Sequence, residues 1–132
     1  MFSNDEEVQQ LRRGFEQCTL TAFHHAHHLA VAVTYCRSSD QPLACFREHL
    51  QNFAAFHGKH TLYHETLTWF WIREVQRVLA TLATKTPTFQ QANIIVRELG
   101  DKDLPLRYWS RDVLFSPDAR TRVVEPDLAP LP

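Results

Sequence analysis

The chain of 132 residues is notable first for what it does not carry. Its formal net charge is −1 at neutral pH, so no basic face marks it at whole-chain level and nucleic acid is not expected as a partner. Its three cysteines, Cys18, Cys36 and Cys45, are an odd set without CxxC spacing. A disulfide framework is therefore excluded, and the thiols read as small apolar residues in a reducing cytosol. The first residues, MFSNDEEV, are acidic and polar where a secretory signal would be basic and then apolar, and no run approaches the ~18 apolar residues of a membrane span. A cytoplasmic protein without a membrane partner is expected. Internal repeats are missing, and so is the alternation of apolar and polar residues that marks strands.

What is present is helical periodicity. A hydrophobic fraction of 44% and an aromatic fraction of 11% suit a single globular domain over residues 1–132 with a core of its own. Ser3-Asn4-Asp5-Glu6 matches a capping box ahead of Val8, Leu11, Phe15 and Cys18, which predicts a first helix over about 4–18, with Gly14 softening its interior. A second helix is expected over about 21–37, and a third from Pro42 to a C-capping Gly58 able to take positive φ. A fourth runs over about 62–83, its inner stripe including His64, Leu67, Thr68, Trp71 and Val75, with Trp69 and Phe70 flanking. A fifth covers about 87–99. Five of the seven prolines lie from Pro105 onward, so residues 101–132 read as an extended strap with helical turns capped by Ser110 and Ser116. The expected fold is all-α: an antiparallel bundle of four main helices, one further helix and the C-terminal strap.

All eight histidines fall between His24 and His64. At 100° per residue, His25 and His28 share the apolar arc of the second helix with Leu29 and Ala32, His24 borders it, and His27 points away with Thr34. A His-x-x-His pair puts two imidazoles on one helix face, and His64 opens the facing helix from the centre of its stripe. Three histidines beside a carboxylate are the donor set of catalytic zinc, non-haem iron, nickel or manganese sites. His25, His28 and His64 are thus candidate ligands of a divalent ion, with His57 at the end of the third helix as a fourth. Glu65 is a candidate ligand or proton-transferring base, and Tyr63 or Tyr108 would orient a substrate. His24, His27, His49 and His60 read as surface residues or as side chains that support the ligands from behind. A lone histidine on an apolar stripe is more often a hydrogen-bonded core residue, but three on two helices each need a partner.

Three stretches resemble a family of small bacterial proteins of uncharacterised function: Phe23-x-His25-x-x-His28-Leu29, Tyr63-His64-Glu65-Thr66-Leu67-Thr68, and Leu106-Arg107-Tyr108-Trp109-Ser110-Arg111-Asp112-x-Leu114-Phe115-Ser116. The resemblance runs through most of the chain from Phe23 and ends in Glu125-Pro126-Asp127-Leu128. It implies that the positions of His25, His28 and His64 matter together, apart from the neighbouring His24 and His27. It supplies no activity.

Two functions follow as expectations. One is a small metalloenzyme, a metal-dependent hydrolase or a non-haem iron oxidoreductase, acting on a small polar substrate through His25, His28, His64 and Glu65. The other is a non-catalytic binding or interaction module, its histidines forming a structural metal clip or a buried polar network. The Arg107–Arg111 run is expected either to fold over the bundle mouth and hold an anionic ligand or to serve as a packing strap with solvated arginines.

Overall fold

The computed structural model describes all 132 residues as seven α-helices with no strand: α1 (Asp5–Glu16), α2 (His25–Ser38), α3 (Pro42–Phe56), α4 (Glu65–Leu79), α5 (Thr88–Leu99), α6 (Arg111–Leu114) and α7 (Pro117–Thr121). Short 3-10 turns at His60–Leu62 and Leu104–Arg107 complete it. This is the expected all-α bundle. No helix is long and apolar enough to cross a membrane.

Local chemistry sets the helix ends. The first cap falls one residue later than expected: the Asn4 side chain accepts the Glu7 N–H at 3.0 Å, and Glu7 reaches back to the Ser3 N–H at 3.2 Å. An Asx side chain is at least as good a cap as serine, so the frame with Asn4 prevails over the one with Ser3. Gly14 has a packing role: a Cβ there would lie 2.6 Å from Leu20 Cδ2, so its bareness lets the chain after α1 fold back closely. Gly58 takes φ +70° after α3, as expected, and the Lys59 N–H closes onto the Ala54 carbonyl at 2.7 Å. Ser110 and Ser116 cap α6 and α7 through their side chains, accepting from Val113 and Ala119.

Helix α2 is the axis of the molecule. Its residues from Leu29 to Tyr35 are buried without interruption, and α1, α3, α4 and α5 all pack against it. A helix apolar on all sides is a buried helix. Thr34, expected on an outward face, is therefore inside, its hydroxyl satisfied by the Val31 carbonyl at 2.6 Å. The cause is a second layer: Val8 of α1 and Ala92 of α5 close over Ala30 on the far side of α2.

Helix α4 is buried on two faces. One meets the main core through Ile72 and Val75; the other carries Phe70, which packs with Trp109 and Leu114 of the C-terminal segment. Phe70 and Trp109 are fully buried while Trp71 is only half-buried, the reverse of the expected ranking on α4. The segment is held by backbone-directed bonds: the Trp109 indole N–H donates to the Val124 carbonyl at 3.0 Å, and Leu128 N–H to Tyr108 O at 2.9 Å. Thr66 sits between the Ala119 and Arg122 carbonyls, at 2.8 and 2.9 Å, and accepts the Val124 N–H. The chain from Leu104 onward is thus a packing strap on α4 with Arg107 and Arg111 exposed, and the Arg107–Arg111 run does not fold over the bundle mouth.

Candidate ligand cavity

The first turns of α2 and α4 and the last turns of α3 meet at one end of the bundle and enclose a cavity of about 650 Å³. Of its 22 lining residues 13 are apolar or aromatic, a composition and size typical of small-molecule sites. Leu29, Ala32 and Phe46 are buried at its floor, while Thr21, His24, His57, Lys59, Leu62 and Lys102 are exposed at its rim. All four expected metal-ligating histidines, His25, His28, His57 and His64, line it, and so does Tyr63.

Each histidine reaches the cavity by a different local route. His64 is the N-cap of α4 rather than a residue within it. Its Nδ1 accepts the Leu67 N–H at 3.1 Å, and its Nε2–H donates to the Leu114 carbonyl at 2.6 Å. Both ring nitrogens are therefore committed, one to starting α4 and one to fastening the C-terminal segment. Burial holds its pKa below the ordinary imidazole value, so the ring is neutral near pH 7. His25 donates Nε2–H to the Leu99 carbonyl at 2.9 Å, capping the end of α5, and lies against Trp71 with ring centroids 4.5 Å apart. His28 packs on Phe23 at 4.2 Å, and Phe23 stacks in turn on Phe15 at 4.6 Å. Burial, with His25 one turn away, pushes the His28 pKa down to about 4. His57 follows α3 and rests on Phe53 at 4.4 Å.

Among these side chains no group of three or more His, Cys, Asp or Glu converges closely enough to hold a metal ion. The reason is geometric: His64 aims both nitrogens at backbone, and His25 aims one at the end of a different helix.

Glu65, the expected ligand or proton-transferring base, lies elsewhere, and of the two tyrosines expected to orient a substrate only Tyr63 is in the wall. Glu65 is absent from the cavity wall. Its carboxylate accepts two bonds from Arg47 of α3, at 2.9 and 2.7 Å, and a third from the Tyr63 hydroxyl. The bidentate guanidinium, out of reach of any reading of α4 alone, turns Glu65 away from His64. Tyr63 keeps its ring in the wall, but burial and the bond to Glu65 push its pKa up to about 12. Tyr108 packs beside Phe70 and Trp109, across α4 from the cavity, and cannot orient a molecule bound there. His27, expected to point away from the core, accepts the His24 N–H at its Nδ1 at 2.9 Å and so helps to cap α2. Helix α2 consequently starts at His25, four residues later than the periodicity suggested.

Two features of the site are not evident from motifs. Lys59 and Lys102 at the rim come from a helix-end connection and from the segment after α5, which have no periodicity to place them. The Phe15–Phe23–His28 stack depends on the irregular chain between α1 and α2.

No protein family, curated protein or solved structure matches this chain.

Proposed function

We propose that the protein is a non-catalytic binding module that takes a small, largely apolar molecule into this cavity, with its histidines serving as a buried polar network. The observation that carries the reading is the state of His64. The residue on which a three-histidine metal centre depends already spends both nitrogens on backbone, beside a cavity with an apolar floor. Imidazoles bonded in this way satisfy helix ends, His64 the start of α4 and His25 the end of α5. A cytoplasmic location suits the three free thiols, and the balanced charge gives no reason to invoke nucleic acid. The test is calorimetric titration with decanol, a neutral apolar probe. One-to-one binding is expected, weakened at least about tenfold by Ala32→Leu, which adds bulk at the floor, and likewise by Ala54→Leu in the wall. Absence of binding, or binding unchanged in both folded variants, would overturn the reading.

A second reading is favoured by one observation, that His25, His28, His57 and His64 share a single cavity. As a metalloenzyme, a hydrolase or a non-haem iron oxidoreductase, the protein would hold a zinc, iron or nickel ion there. His25 and His64 would first have to leave their carbonyl partners, and Glu65 would have to leave Arg47 before acting as base. Metal analysis after purification without a histidine-affinity column separates the readings. A stoichiometric ion, lost in His25→Ala and His28→Ala but kept in His27→Ala, supports the metal centre; zinc or nickel points to hydrolysis and iron to oxidation. Sub-stoichiometric metal supports the binding module.

A further inference from the structure

The cavity has an asymmetry that bears on what it takes. None of its 22 lining residues is acidic. Asp101 and Asp103, exposed and beside Lys102 in sequence, are not part of the wall, and Glu65 is held by Arg47. Every charged side chain in the wall is a lysine, and both lysines, Lys59 and Lys102, are at the exposed rim on opposite sides of the sequence. The interior is the opposite in character, with Leu29, Ala32 and Phe46 at the floor and Phe53, Leu67 and Trp71 in the walls. An apolar depth below a cationic rim matches a molecule with an apolar body and one anionic end.

We infer that the cavity binds an amphipathic monoanion, a carboxylate with an aliphatic or aromatic body, tail first, with the body on the Leu29–Ala32–Phe46 floor and the carboxylate at the rim between Lys59 and Lys102. This rests on the binding-module reading and adds the class and orientation of the ligand. The reverse orientation would bury an unpaired carboxylate against apolar side chains, which costs several kcal/mol. A cationic ligand would face two ammonium groups with no acid in the wall to pair with.

The orientation sets how binding scales. Each methylene added to the tail enters the apolar depth, so affinity rises about three- to fourfold per methylene until the floor is reached. The two lysines are solvent-exposed, so each contributes modestly and their effect is screened by salt. Together they are worth about fivefold in affinity for an anion at low ionic strength.

The experiment is calorimetric titration of the intact protein with decanoate, decanol and decylammonium, and with the series hexanoate, octanoate and decanoate. The same titrations are made with Lys59→Gln/Lys102→Gln, two exposed substitutions that leave the fold intact. Decanoate is expected to bind more tightly than decylammonium. It should weaken about fivefold in the double variant and in high salt, while decanol changes less than about twofold in either. If decanol binds but decanoate is no better than decylammonium, or is indifferent to both lysines, the anion inference fails and the cavity reading stands. If affinity does not rise along the alkanoate series, the tail-first orientation is wrong and the inference fails with it. If none of the probes binds the folded protein, both the inference and the binding-module reading are overturned.

Discussion

The two sides of α4 are built from similar material and finished differently. On one side Thr66 and Phe70 meet Trp109, Leu114 and the chain that follows; Phe70, Trp109 and Leu114 are buried, and the Thr66 hydroxyl and the Trp109 indole are bonded to backbone. On the other side Leu67, Thr68 and Trp71 face histidines and phenylalanines across a cavity of about 650 Å³. Both regions are aromatic, and both use His64, which donates across to Leu114 while its ring stands in the cavity wall. The protein covers one face of this helix with its own chain and lines a cavity with the other. A packed cluster contributes to stability, and a lined cavity forgoes that contribution, which is the physical ground for the binding reading proposed above.

The sharpest way to break the comparison is to remove the centre of the packed side. Trp109→Ala should cost about 3–5 kcal/mol of stability, read by urea denaturation, because it opens a void beneath residues 101–132 and frees the Val124 carbonyl. Trp71→Ala, on the half-buried cavity side, should cost less than half as much and should instead weaken binding of the apolar probes. Equal losses of stability would erase the distinction between the two faces.

A pH dependence sharpens it further. His28 has a folded-state pKa of about 4 against an ordinary value of 6.5, so the unfolded chain takes up its proton first as pH falls. Its contribution is fully present above about pH 6.5 and is lost between there and about pH 4. Allowing for the part of the ring facing the cavity, the loss is on the order of 2 kcal/mol. Burial lowers the pKa values of His64 and His27 as well, and both act in the same direction. His28→Phe should remove the largest share of the slope of stability against pH, measured by urea melts at about pH 7 and at about pH 4.5. An unchanged slope would contradict the burial of that imidazole.

The smallest effect separates Glu65 from the site. Glu65→Gln weakens a largely buried, bidentate pairing with Arg47 and should cost about 1–2 kcal/mol, with probe binding unchanged. Altered binding would return Glu65 to the cavity.

How far the sequence carried can be traced residue by residue. The periodicity of α3 and α5, the caps at Ser110 and Ser116 and the positive φ at Gly58 are local properties, and they were legible. So was the pairing of His25 with His28, because both lie within one regular helix. His64, expected at the centre of the fourth helix's inner stripe, is instead an N-cap with extended backbone outside the helical wheel, and the Leu67 N–H and Leu114 carbonyl direct its ring. The direction of Glu65 is decided by Arg47, 18 residues away on another helix, which no spacing rule on α4 contains. Likewise Thr34 and Phe70 are buried by partners distant in sequence, Phe70 by the C-terminal segment and Thr34 on the face that α1 and α5 close.

A second polar cluster was equally hidden. The Tyr35 hydroxyl donates to Glu16, with Arg12 stacked 4.1 Å over the tyrosine ring and bonded to the same carboxylate. Burial works against ionisation of Glu16, but Tyr35 and Arg12 more than offset it and its pKa falls below the usual value. The cluster fastens α1 to α2, and His49 of α3 approaches the same oxygen at 3.5 Å. It is a structural brace away from the cavity, the counterpart at a helix junction of the Arg47–Glu65 pair.

The most direct test of the central claim, that one face of α4 is a ligand site and the other a packed core, is a chemical-shift titration of the isotope-labelled protein with decanoate. The account expects the largest shifts at Leu29, Ala32, Phe46 and Trp71, saturating together, with Phe70, Trp109 and Leu114 nearly still. Shifts centred on Trp109 and the C-terminal segment, or no saturating shifts anywhere, would contradict it.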